Sequence, residues 1–186
     1  MNHTNYILAS KSPRRKHLLE LANIQFEIIT EDTVEDFPDD LEISKAPVFI
    51  AKNKANAVFM KNINRTIIAA DTVVVLENKI IGKPKDRKDA IEILSSLSGK
   101  THEVITGVVV MNQQKTIEFS DKTSVSFHPL TQEQIVYYVD TFKPYDKAGA
   151  YAIQEWIGAV GIQSIQGCFY NVMGLPISKL IQILNS

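Results

Sequence analysis

The apolar positions along the chain change period several times, and each change predicts a new element. Residues 5–9, Asn-Tyr-Ile-Leu-Ala, form a short continuous run suited to a buried strand. Ser12 then stands where a helix cap belongs, and Pro13 follows at the first helical position, where its missing N–H is harmless. Leu18, Leu19 and Ala22 recur at helical spacing. Residues 24–30 predict a second strand, and the acidic, proline-containing stretch 31–42 predicts a loop. A helix over residues 44–60 carries Val48, Ala51, Ala55, Val58 and Phe59 on one side.

Residues 66–76, Thr-Ile-Ile-Ala-Ala-Asp-Thr-Val-Val-Val-Leu, are β-branched and apolar apart from Asp71. A turn over 77–79 and a short strand over 80–84 come next. Residues 87–97 predict a third helix, ended by Gly99. Residues 102–111 and 116–127 pair as a hairpin across 112–114. Thr131 with Gln134 makes a capping box for a fourth helix. Residues 142–154 have turn residues and no clean period. A last helix begins near Pro176 and uses Leu180, Ile183 and Leu184. Strands and helices mix without strict βαβ alternation, which predicts an α/β protein with a mixed sheet rather than a Rossmann fold.

Composition narrows the class. The 186 residues are 45 % hydrophobic, enough to bury a sizeable core. The formal net charge of −1 supplies no global positive field, which disfavours nucleic acid as a partner. Cys168 is the single cysteine, so no intramolecular disulfide can form, and a reducing compartment fits. The first residues lack a basic segment followed by an apolar one, and no apolar run approaches the roughly 20 residues that span a bilayer. A soluble cytoplasmic protein without a membrane partner is expected.

Against this background two features carry candidate chemistry. Asp71 interrupts an apolar strand, and a buried unpaired carboxylate costs several kcal/mol. It is either a solvent-facing or salt-bridged structural residue, or a metal ligand or general base held on a core strand. The second feature is the turn Ser10-Lys11-Ser12-Pro13-Arg14-Arg15. A helix start carries partial positive charge, so two arginines there are mildly misplaced unless an anion binds. Lys52 and Lys54 both flank the apolar face of their helix, and spacing does not choose between them. Lys83 sits in a turn, where a solvated lysine is the plain expectation. The acidic run Glu31, Asp32, Glu35, Asp36 suits a solvated loop or an oxygen donor to a hard cation.

Other templates do not match. Ser10, His102 and Asp71 would complete a triad in composition, but there is no Gly-x-Ser-x-Gly elbow. There is no zinc-type Cys/His spacing and no Gly-x-x-x-x-Gly-Lys-Ser/Thr loop.

The segments LASKSPRR, AKNKANA, AADTVVV, GKP, LSGKTHEVITGV, DKAGAYAIQ and YNVMGLPISKL occur together, in this order, over nearly the whole chain. As a set they resemble the Maf nucleotide pyrophosphatases. The resemblance implies one domain over residues 1–186: an elongated mixed β-sheet with flanking helices forming two lobes around a cleft, similar to inosine-triphosphate pyrophosphatase. It implies cleavage of a nucleoside triphosphate between the α- and β-phosphates to a monophosphate and pyrophosphate. A divalent cation is required, Mg²⁺ or else Mn²⁺, and the expected assembly is a homodimer. The segment DKAGAYAIQ resembles the dTTP/UTP branch, with modified pyrimidine nucleotides as further substrates. The family is also associated with septum formation, so a catalytically weak nucleotide-binding regulator of cell division is the alternative.

Carried onto this chain by resemblance, Asp71 is the proton acceptor and a metal ligand with Glu35. Arg14, Thr72 and Gln154 match positions of substrate choice. Ser10, Arg15, Lys54 and Lys83 match polar positions that bind phosphate, which selects Lys54 over Lys52. Two departures, the stretch 155–169 and Cys168, bear on loop conformation and subunit contacts.

Overall fold

The computed structural model describes residues 5–185. Seven strands form one mixed sheet in the order β2-β1-β3-β5-β6-β7, with β4 paired to β3. They are β1 Tyr6–Leu8, β2 Phe26–Ile28, β3 Thr66–Leu76, β4 Lys79–Ile81, β5 Thr101–Met111, β6 Thr116–Phe127 and β7 Ile162–Gln166. The helices are α1 Pro13–Leu21, α2 Ala46–Phe59, α3 Arg87–Leu97, α4 Gln132–Phe142, α5 Trp156–Gly161, α6 Phe169–Met173 and α7 Ile177–Leu184. β1 runs parallel to both β2 and β3, whereas β4 and β7 pair antiparallel. The expectation of a mixed sheet with flanking helices therefore holds. Among the described residues no helix is long and apolar enough to cross a membrane.

The chain divides into two compact units. The first contains residues up to Thr72, Thr106–Asp121 and the stretch from Gly174 onward; the second contains Val73–Ile105 and Lys122–Met173. β3, β5 and β6 each contribute one part to each unit.

In the first unit, strand alternation sorts the sequence onto two faces. Ile67 and Ala69 of β3 join Ile7 of β1, Ala9 just after it and Val109 of β5 in a core against Ala51, Ala55 and Val58 of α2. The even-numbered residues of β3 take the other side, where Thr72 meets α1. Gly107 of β5 shows how closely α2 approaches. A Cβ built there would stand 2.2 Å from the backbone nitrogen of Val48, so only glycine fits. The helix over 44–60 begins one turn tighter than its apolar period indicates: Ile43–Lys45 is a 3₁₀ turn, and the α-helix starts at Ala46 with Pro47 in its first turn.

Several local expectations are corrected. Ser12 is at the helix boundary, but its hydroxyl makes no capping bond; its N–H donates instead to Ser10 Oγ at 3.2 Å. Ala22 lies just past the helix end. The second strand spans 26–28 rather than 24–30. The β3–β4 turn is the pair Glu77-Asn78, both at positive φ, so β4 ends at Ile81 and Lys83 lies beyond it.

In the second unit, α3 and α4 begin on side-chain caps, Asp86 accepting from Asp89 N–H and Thr131 closing its capping box with Gln134. Arg87 grips Asp140 with two bonds, 2.6 and 2.9 Å. Residues 156–173, given no element from periodicity, hold α5, β7 and α6. None exceeds six residues, so none contains two full turns of helical period or a clear alternation.

Candidate active site

β3 brings most of the expected residues of the first unit together, because consecutive strand residues face opposite ways. Asp71 points to the α2 side. Its Oδ1 accepts a hydrogen bond from Lys54 Nζ at 2.7 Å, and the same ammonium reaches Glu35 Oε1 at 2.6 Å. The Lys54 and Asp71 side chains are only 16 % and 15 % exposed, whereas Glu35 stands on the half-exposed loop. Lys54 follows Ala51 by three positions and precedes Ala55, so it emerges at the border of the buried face with its charge aimed at the strand. Lys52 points elsewhere and pairs with Glu118 at 2.7 Å. The helical ambiguity between the two lysines is thus resolved by β3.

Thr72 points to the α1 side and meets Arg15. This guanidinium is buried and distributes its donors over three elements: Nε to the Gly174 carbonyl at 2.8 Å, Nη1 to Ser10 Oγ at 3.1 Å and Nη2 to Thr72 Oγ1 at 3.0 Å. Thr72 Oγ1 also lies 2.9 Å from Thr106 Oγ1 of β5, and Thr106 is fully buried. Burial pulls the Arg15 guanidinium below its ordinary pKa, Asp71 acts in the opposite sense, and Arg14 adds to the lowering. Gly174 adopts φ +112°, a conformation available to glycine, and so turns its carbonyl toward Arg15. Arg14 is half-buried in the same first turn of α1.

The arrangement accounts for Arg15 at a helix start. Arg15 is an internal clamp fixing the Ser10 turn, β3 and the Gly174 bend. Thr106 and Gly174 were not among the candidates found by sequence. A threonine in an apolar strand and a glycine before Leu-Pro carry no distinguishing local pattern.

Lys83 and Gln154 belong to the second unit, and both are exposed. Lys83 follows Gly82, whose carbonyl accepts from Gly149 N–H at 3.1 Å. Gly149 has φ +72°, and a Cβ there would press on Val74 at 3.0 Å. Gln154 lies in a segment held by Tyr138, His102 and Lys147. His102, Tyr151 and Phe127 form a buried aromatic cluster, with His102 Nε2 and Tyr151 OH 2.7 Å apart. Burial lowers the His102 pKa to about 4 and raises that of Tyr151. His102 lies in the second unit and is spent on this buried cluster.

Asp71 and Glu35 both turn an oxygen to one cation, the Lys54 ammonium. Two carboxylates converging on a positive centre are a hard-oxygen donor set of the kind Mg²⁺ uses when phosphates supply the remaining ligands. Among the described residues no group of three His, Cys, Asp or Glu side chains forms a complete metal cage.

Fold and site together define a mixed α/β protein with a carboxylate on a core strand, flanked by a lysine and an anchored arginine. The chain belongs to the Maf family: the model described as "Maf-like protein" matches residues 5–186. A dTTP/UTP pyrophosphatase of Cytophaga hutchinsonii is 50 % identical over 184 residues, covering 99 % of this chain and 84 % of that protein. One from Porphyromonas gingivalis W83 is 46 % identical, covering 94 % and 89 %. One from Bacillus cytotoxicus is 47 % identical, covering 96 % and 93 %. The solved structure of a HAM1 protein from Coxiella burnetii is 14 % identical with a TM-score of 0.49, covering 97 % and 98 %.

Proposed function

We propose that this protein is a nucleoside triphosphate pyrophosphatase acting on dTTP and UTP, and on modified pyrimidine nucleotides. The observation that carries the chemistry is Asp71, a carboxylate on a core strand with Lys54 on one oxygen. The names of the relatives support the substrate.

Water attacks one phosphorus of the α–β linkage, and the bridging oxygen leaves on the other. The products are a nucleoside monophosphate and pyrophosphate. Asp71 takes the proton released by the attacking water. Lys54 and Lys83 meet charge on the triphosphate. The Ser10 turn presents backbone N–H groups and the α1 N-terminus to it, with Arg15 supplying positive potential while holding that turn in shape. Arg14, Thr72 and Gln154 shape the base site; a Gln amide can pair with the O4 and N3–H edge of a pyrimidine. Asp71 and Glu35 would hold a divalent cation, Mg²⁺ or Mn²⁺. When bound it supplies charge neutralisation for the leaving pyrophosphate and a more acidic water.

We further propose that the chain acts as one domain, in a cytoplasmic homodimer. The single cysteine supports the compartment, and family resemblance supports the dimer. The testing experiment is a panel of normal and modified nucleoside triphosphates assayed for pyrophosphate, with Mg²⁺ and with chelator. Magnesium-dependent release from dTTP and UTP is expected. Binding without turnover across the panel would instead favour the nucleotide-binding regulator.

A further inference from the structure

We infer that Tyr138 and Glu155 are positioning residues that set the presentation of Gln154, and through it the choice among pyrimidine bases. This rests on the reading of Gln154 as a base-contacting residue.

Gln154 is the exposed member of a tethered segment. Tyr151, Ala152 and Ile153 before it are buried. Tyr138, on α4, is fully buried, and its hydroxyl serves both sides of Gln154. It accepts a hydrogen bond from Ala152 N–H at 3.1 Å and donates one to the Glu155 carboxylate. Glu155 Oε1 lies 3.5 Å from Lys147 Nζ, which also holds Asp146 at 2.8 Å. Lys147 is itself 7 % exposed, so these carboxylates compensate a charge that water barely reaches. Glu155 N–H donates to the Ala152 carbonyl at 3.1 Å, closing a tight turn around residues 152–155. Behind it, a Cβ on Gly158 would overlap the Ile153 carbonyl oxygen at 1.7 Å, so the backbone is also fixed from the α5 side.

One hydroxyl thus pins the residue two before Gln154 and the residue directly after it. An amide that reads a base edge needs its donor and acceptor held to within a fraction of an ångström, and loose support degrades discrimination more than binding. Tyr138→Phe keeps the ring and its packing but removes both bonds.

The test is a double-mutant cycle on substrate discrimination. The ratio of kcat/KM for UTP to that for CTP is measured in wild type, Tyr138→Phe, Gln154→Ala and the double variant. Gln154→Ala is expected to lower the ratio, and Tyr138→Phe to lower it roughly three- to tenfold, the worth of the one amide–base hydrogen bond that the network orients. In the double variant, Tyr138→Phe should change the ratio no further, because the positioned amide is gone. Glu155→Leu should act like Tyr138→Phe, and Glu155→Gln, which still accepts from the hydroxyl, should restore the ratio. A purely structural network would lower the melting temperature of these variants with the ratio unchanged. That outcome, or a full Tyr138→Phe effect persisting without Gln154, overturns the inference while leaving the enzyme reading intact. An unchanged ratio in Gln154→Ala overturns the base-contacting role and this inference together. Wild-type protein that releases no pyrophosphate overturns the enzyme reading itself.

Discussion

Lys54 Nζ stands 2.7 Å from Asp71 Oδ1 and holds Glu35 with the same ammonium. A cation contributed by the protein thus sits on the two carboxylates proposed to hold a metal. Removing it takes away the ammonium that the two carboxylates share. Lys54→Met is therefore expected to bind Mn²⁺ several-fold more tightly than wild type in the absence of nucleotide, followed by electron paramagnetic resonance, while losing turnover. Unchanged or weaker Mn²⁺ binding would remove Asp71 and Glu35 as the metal pair.

Arg15 is the second relationship open to direct test. Its planar fork reaches three acceptors on separate elements, which a lysine ammonium cannot reproduce from one position. Arg15→Lys is expected to destabilise the fold by about 2–4 kcal/mol, read from urea denaturation midpoints, because buried acceptors lose charged donors. A change below about 0.5 kcal/mol would show that the clamp is dispensable.

Gly107→Ala tests the close approach of α2 to β5. The added methyl would meet backbone at 2.2 Å, and backbone cannot rotate away as a side chain can. The variant is expected to lose at least about 3 kcal/mol or to fail to accumulate as folded protein. Near-wild-type thermal stability would contradict the packing described.

His102 predicts a pH dependence of stability. Its pKa falls from 6.5 to about 4 on folding because burial penalises the charged ring. The unfolded chain thus binds more protons between these values. This contribution is whole above pH 6.5 and is lost as pH falls toward 4. The difference is on the order of 3 kcal/mol. His102→Gln should flatten the decline in melting temperature between pH 7 and pH 4; an unchanged slope would assign the decline to carboxylates instead.

Legibility in the sequence followed the length of the elements. β3, α3, β5, β6 and α4 each run eleven residues or more, so period and capping residues repeat enough to be read. The stretch 156–173 packs three elements of five or six residues around glycines, and pattern has no room to develop. Within the site, Asp71 was visible because a charge in a β-branched strand contradicts its surroundings. The contact of Lys54 with Asp71 was not legible in helical spacing, which leaves Lys52 equally placed; resemblance singled out Lys54, and the strand across from it supplies the partner. Arg15 stood out only as a charge at an awkward helix start, where an anion was the expected partner. Its partners Ser10, Thr72 and Gly174 lie 5, 57 and 159 positions away, and the latter two separations leave no local trace.

The central claim is that Asp71 drives cleavage of the α–β linkage of dTTP. Its most direct test is the rate and identity of products from dTTP with Mg²⁺, compared between wild type and Asp71→Asn by chromatography. Wild type is expected to give dTMP and pyrophosphate in equal amounts. Asp71→Asn, which keeps size and a hydrogen-bond acceptor toward Lys54, should remain folded and lose roughly 10²–10⁴ in rate. Formation of dTDP and phosphate, or near-wild-type turnover by Asp71→Asn, would contradict the account.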